Sequence, residues 1–309
     1  MNTRKGWKFS RLIKALYLPA TILLLIILSN NAYSQMSNSN NINSYIQELK
    51  SQNVGNRQAA TLDLMAIGKD AQSAVPALIQ ALKDPDSGVR RNSALALGRA
   101  ELASTEVIDA LISVILNDSY NGARSNAVGS LGRLQEISPP SELVMTILTD
   151  ALQDEDERVR KTAVIVLGHV GSKAKAAVPS LIKASQLGDT AMRERAVFAL
   201  GKIGEASPEV FSALTEALKS DVRNIHLHAI RALGEIKPVS LDSVAILTKV
   251  LEEQDITARK LAMTGLGNFG TDAQIAVSAL TAAIEDKDVT VSKTAAYTLK
   301  KIQDVQVDT

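Results

Sequence analysis

The feature that most constrains this chain is a recurring apolar–glycine pair. It stands at Ile67-Gly68, Leu97-Gly98, Leu131-Gly132, Leu167-Gly168, Leu200-Gly201, Leu233-Gly234 and Leu266-Gly267, with Leu299-Lys300 as an imperfect further copy. The successive spacings are 30, 34, 36, 33, 33, 33 and 33 residues. A sustained period of this length is the mark of a solenoid, in which each unit buries its apolar face against its neighbours only.

Counting from each glycine exposes two helical stripes. Positions −9, −5, −1 and +2 carry, for example, Val159, Ala163, Leu167 and Val170 in one unit and Ile225, Ala229, Leu233 and Ile236 in another. These offsets share one face at 3.6 residues per turn, so a helix runs through the glycine. Positions −20, −17 and −16, such as Leu247, Val250 and Leu251, define a second helix before it. Neither stripe needs a gap to align, so the turn inside each helix pair has constant length. Length variation falls in the loop after the glycine, where Pro139-Pro140 lies in the longest example.

The constant turn has its own chemistry. Position −12 is Asp86, Asp156, Asp189, Asp255 or Asp288, each placed to cap the following helix by accepting from its free amides. Tyr120 and Val222 interrupt this column, with Asp118 and Asp221 nearby as substitutes. Position −8 is Arg90, Arg124, Arg160, Arg193 or Arg259, with His226 and Ser292 as exceptions. The Asp and Arg columns read together as a ladder between repeats.

Ala74-Val75-Pro76-Ala77-Leu78-Ile79, then Asp86-Ser87-Gly88-Val89-Arg90-Arg91 running into Ala94-Leu95-Ala96-Leu97-Gly98, resembles a HEAT repeat. Val178-Pro179 and Asp156-Glu157-Arg158-Val159-Arg160 renew the likeness. The short, alanine-rich form is similar to the subgroup named for phycobilisome lyases. The resemblance spans about residues 54–303 and implies an all-α fold: a right-handed α-solenoid, a HEAT/armadillo-like superhelix of about eight helix pairs. At ~8–10 Å per layer such a stack is a curved rod of roughly 70 Å. Polar Ser292, Lys300 and Lys301 at one end, and a short polar helix near Ser44 at the other, read as caps.

The N-terminal segment addresses the protein. Five of the 34 Lys and Arg residues, and no acid, lie in residues 1–34. They precede an apolar run from Ala15 to Leu28 and an Ala32-Tyr33-Ser34 cleavage pattern. That layout is a secretory signal peptide. The expected organisation is a leader over 1–34, a flexible spacer over 35–43 and a solenoid over 44–309. The product is then periplasmic or secreted. The alternative is an uncleaved inner-membrane anchor over residues 15–33, the only part that would meet a membrane. The remainder carries 29 basic against 33 acidic residues, a poor match for nucleic acid.

Reactive chemistry is sparse. The protein has no cysteine, which removes thiolate zinc sites and cysteine nucleophiles. No G-x-S-x-G, P-loop or dinucleotide-binding glycine loop occurs. His169, His226 and His228 do not converge as metal ligands, and Asp154-Glu155-Asp156-Glu157 reads as a solvated turn. Two enzyme types share this repeat and form the alternative reading, an enzyme or enzyme accessory. The His-Glu pairs of the di-iron deoxyhypusine hydroxylases are missing, since Val170, Leu227 and Ala229 follow the histidines. Bilin lyases act on cytoplasmic proteins, which conflicts with the leader. No cofactor is therefore expected.

What remains is surface. Positions −7, −3 and +1 lie opposite the buried stripe, on the helix that lines the concave side in this family. They carry Arg91 and Lys161, then Leu95, Ile165 and Phe198, then Arg99, Arg133, His169 and Lys202. The expected function is a non-catalytic scaffold that binds an acidic protein or peptide along this basic concave face.

Overall fold

The computed structural model describes residues 41–138 and 141–304. The expected leader, most of the expected spacer, Pro139-Pro140 and residues 305–309 lie outside the described residues. Among the described residues every regular element is a helix. Helix α1 covers residues 41–48 and buries Ile42, so it begins ahead of the expected boundary at 44. It pairs with α2 (Val54–Ile67). Seven further pairs follow: α3 (Val75–Ala81) with α4 (Ser87–Arg99), α5 (Thr105–Asn117) with α6 (Asn121–Ile137), and α7 (Glu142–Asp150) with α8 (Glu157–Val170). Then come α9 (Val178–Leu187) with α10 (Thr190–Ile203), α11 (Pro208–Ala217) with α12 (Arg223–Glu235), α13 (Leu241–Val250) with α14 (Ile256–Phe269), and α15 (Val277–Ala283) with α16 (Val289–Asp304). Among the described residues the fold is an all-α solenoid of eight pairs.

Local chemistry starts and stops these helices. The side chains of Asp86, Asp156, Asp189, Asp255 and Asp288 accept from amides of the helix that each precedes. Each cap satisfies a donor that helix geometry leaves free. Asn53 does the same for α2. Tyr120 and Val222 cap nothing through their side chains, and the neighbouring Asp118 and Asp221 do not replace them. Gly68, Gly171 and Gly270 end even helices at φ of 69°, 64° and 57°. Each opens a seven-residue 3-10 segment leading into an Ala-Val start of the next odd helix.

The Leu column at −20 is nearly or fully buried along the stack, from Leu78 through Leu148, Leu181, Leu214 and Leu247 to Leu280. Each of these leucines contributes on the order of 2 kcal/mol of hydrophobic burial. Leu116 departs from the expected stripe and is 59% exposed. In that pair α5 stays α-helical to Asn117, which turns Leu116 outward while Ile115 at −17 stays in the core.

The repeated glycine is a crossing point. A Cβ built on Gly98 would lie 2.8 Å from Ser130 Cα, and one on Gly234 would lie 2.6 Å from Gly265 Cα. Small residues here let successive even helices close on one another. The same geometry corrects the register of the first pair. Gly68 belongs with Gly171 and Gly270, which lie three residues beyond the crossing glycines. Met65 therefore holds the crossing position, with Leu64 before it and the cap Asn53 twelve residues ahead. The irregular spacing of 30 becomes 33, and the first pair is an ordinary repeat.

Candidate functional site

Two surfaces of the stack carry polar chemistry: the edge formed by the turns within pairs, and the exposed face of the even helices. At the edge the Arg column reaches forward. Arg90 Nε and Nη2 donate to the two carboxylate oxygens of Asp118 at 2.7 and 2.8 Å. Arg57 meets Asp84 in the same bidentate way, and Arg124 meets Asp154. Arg259 lies 3.1 Å from Asp286. The acceptors stand at −14 in the following pair, two residues ahead of the capping Asp. The ladder exists, but the acids that receive the Arg column are not the ones expected; the −12 carboxylates cap their helices, and Asp86, Asp156 and Asp255 also accept from Gln58, Asn121 and Arg223 of the preceding pair. Each ladder arginine except Arg193 also donates Nη1 to a carbonyl of its own turn, as Arg90 does to Asp84. One side chain thus closes its own turn, and in four cases it also ties the next pair on.

Burial raises the Asp118 carboxyl, and Arg90 with the Tyr120 amide more than offsets this, leaving it below the ordinary carboxylate range. His226 replaces arginine in one rung, with Nδ1 2.7 Å from Leu218 O and Nε2 2.8 Å from Glu253. Both ring nitrogens thus face acceptors. The run at 154–157 leaves Glu155 and Glu157 exposed, as expected of a solvated turn, but its carboxylates also have partners. Asp154 and Glu155 receive Arg124, Asp156 caps α8, and Glu157 pairs with Lys161. Two rungs are missing. Arg160 faces a pair with Leu187 at −14, and Arg193 faces one with Ser220.

Consecutive even helices pack closely along the whole array, whereas α3, α5 and α7 touch one another lightly. The even helices therefore lie on the shorter arc. Arg91, Arg99, Arg133, Ile165, His169 and Lys202 are exposed there, and Leu95, Lys161 and Phe198 are half-buried. The structure brings all nine expected residues onto this one face but gives them different electrostatics. Lys161 is neutralised by Glu157 and lies 3.7 Å from Asp189. Lys202 pairs with Glu235 at 3.1 Å and sits 5.6 Å from the Phe198 ring centre. Arg91 leans on the Asn92 amide oxygen at 3.2 Å. The side chains of Arg99, Arg133 and His169 have no hydrogen bond or ion pair among the described residues.

Among these nine residues, those left without an acidic partner thus lie in the second, third and fourth pairs, Phe198 aside. Further on, Glu194 and Glu235 offset the positive charge. Glu194 accepts from Asn224 and lies 3.6 Å from His228. His228 packs edge-on to Phe198 at 5.4 Å, and its pKa is lowered, first by burial. His228, Glu194 and Glu235 are not among the site residues expected from sequence, although the two glutamates stand in the same columns as the basic residues. Among the described residues no three His, Asp or Glu side chains could hold a metal ion together, and no helix is long and apolar enough to cross a membrane.

The comparisons agree with this architecture. The HEAT-repeat family matches residues 42–132, 108–188, 145–234 and 178–255. The X-ray structure of YibA from Escherichia coli is similar at 19% identity, with a TM-score of 0.61, covering 84% of this chain and 92% of that one. An engineered protein is similar at 21% identity, with a TM-score of 0.58, covering 85% of this chain and 78% of that one. The complex of CpcE and CpcF of phycocyanin lyase from Nostoc gives 20% identity and a TM-score of 0.45, covering 74% and 94%. No curated protein matches by sequence.

Proposed function

The chain belongs to the HEAT-repeat family, and from that premise we propose that it is a scaffold holding an acidic segment of a partner protein along its inner arc. One observation carries this reading. Arg99, Arg133 and His169 form a row across three consecutive pairs, exposed and without partners of their own among the described residues. Leu95 and the 42%-exposed Ile165 supply apolar contact beside that row. Arginine forks of this kind bind carboxylates bidentately, and their enrichment at hot spots matches such a surface. A photo-crosslinking residue at Ile165 in the native cell tests the reading. A discrete crosslinked partner that disappears in the Arg99→Glu/Arg133→Glu variant supports it. Crosslinking that persists unchanged in that variant refutes it.

Export is the second part of the proposal. The basic-apolar-small layout of residues 1–34 supports it. Trp7 is the single tryptophan, so a mature protein cut before Gln35 has no tryptophan emission. Intact-mass measurement of protein from its own cells gives the same answer directly. A mass that includes the leader contradicts cleavage.

A further inference from the structure

We propose that the cleft between the fifth and sixth pairs is a carboxylate-binding site, in which Arg193 receives from a ligand the acid that the ladder supplies elsewhere. Arg193 stands in the rung column, yet its side chain makes no hydrogen bond or ion pair among the described residues. Its Nε is buried without an acceptor. Arg259 has a bare Nε too, but its other nitrogens bond Asp286 and its own turn. Arg160 also lacks an acid opposite, but its Nη1 donates to Asp154 O and Glu155 O at 2.7 and 2.8 Å. Arg193 has neither kind of partner.

Two departures from the repeat meet at this place. Ser185 occupies the position held by Leu82, Leu152, Leu218 and Leu251 in other pairs. Ser220 replaces the acid that should receive Arg193. Together they leave an open cleft of ≈ 510 Å³ with Arg193 and Lys219 as its cations and Ile225 as apolar lining. Two acids also line it. Glu216 is held by Lys219 at 2.7 Å, and Asp221, one residue past the rung position, is exposed and does not reach Arg193. Arg193 and Lys219 against Glu216 and Asp221 make the cleft neutral overall, with the guanidinium itself unanswered. That balance suits a single carboxylate beside an apolar group better than a doubly charged phosphate. A guanidinium fork also matches a carboxylate plane, as the other rungs show.

The carboxylate has two sources, an Asp or Glu side chain or the free C-terminus of a peptide, and three probes separate them. These are acetyl-Gly-Leu-Gly with a free C-terminus, acetyl-Gly-Asp-Gly-amide, and acetyl-Gly-Leu-Gly-amide, titrated into the protein by calorimetry. At least one of the two acids binds and the neutral amide does not. Arg193→Gln weakens that binding about tenfold, the loss of one charge-assisted hydrogen-bonded contact. Ser220→Asp also abolishes it, by completing the rung from within, and raises the melting temperature. Arg99→Glu on the inner arc leaves it unchanged, so failure here is separate from failure of the scaffold reading. Equal binding of the neutral amide, no binding by either acid, or wild-type affinity in both Arg193→Gln and Ser220→Asp overturns the proposal.

Discussion

Substituting alanine at two equivalent glycines one repeat apart should change stability in opposite directions. At Gly234 the new Cβ would sit 2.6 Å from Gly265 Cα, a backbone atom that no rotamer change can move. At Gly267 the nearest atom is Thr298 Cγ2 at 3.5 Å, an ordinary contact. Both sites lie in the last turn of their helices, so alanine gains about 0.5–1 kcal/mol of helix propensity at each. Overpacking against an immovable neighbour costs about 1–3 kcal/mol. Gly234→Ala is therefore destabilised by about 1–2 kcal/mol net, because α12 and α14 must separate. Gly267→Ala keeps the propensity gain and is stabilised by up to about 1 kcal/mol. For a protein of this size, each kcal/mol corresponds to roughly 2–4 °C in melting temperature. Thermal melts followed by circular dichroism at 222 nm, with urea midpoints as a second probe, read both variants. Shifts of the same sign, or a reversal of the order, would show that helix approach at the crossing is not what selects glycine.

The Arg90–Asp118 rung should matter more than an exposed pair. Arg90→Ala leaves the 5%-exposed Asp118 without its bidentate partner and costs about 2–3 kcal/mol in urea unfolding. Arg223→Ala, which removes a 60%-exposed arginine from Asp255, costs about 0–1 kcal/mol in the same assay. Stability should also fall in acid. The Arg223 contact lowers the Asp255 pKa to about 2, and caps or side-chain bonds lower those of Asp86, Asp156, Asp189 and Asp288. Depressed folded-state values mean that this stabilisation is intact above the unfolded value near 4 and disappears as pH drops toward 2. Melting temperatures measured from pH 5 down to pH 2 should decline across that window; a flat profile contradicts the capping assignment. Glu101 sits at φ 52° where other pairs use Gly171, Gly204 and Gly270. Glu101→Gly should raise stability by about 1 kcal/mol by relieving left-handed strain, read as an upward shift in the urea midpoint.

Much of this was legible in the sequence, because a helix pair repeated along the polypeptide states its buried face again at every period. The Leu column at −20 and the Asp caps at −12 could be read directly, since burial and capping depend on neighbours close in sequence. The rung acids could not be assigned the same way. Asp84 and Asp86 are two residues apart in one turn, and only the three-dimensional turn shows that the first faces outward to Arg57 while the second faces its own helix. The register of the first pair failed for a related reason. Gly68 looks like a crossing glycine, but its positive φ marks a helix end. The inner face was half legible: the columns put Arg99 and Arg133 on the exposed side of the even helices, where they lie, but did not reveal the glutamates from neighbouring pairs that neutralise Lys202 and hold His228.

Arginine footprinting of the protein, alone and with its crosslinked partner rebound, tests the central claim most directly. Phenylglyoxal reacts with accessible, unpaired guanidinium groups, and peptide mass mapping assigns each adduct. Arg99 and Arg133 should label quickly in the free protein, Arg90 and Arg124 slowly, and partner binding should protect Arg99 and Arg133 while reactivity elsewhere stays the same. Fast labelling of Arg99 and Arg133 that partner binding leaves untouched would contradict an acid-binding inner arc.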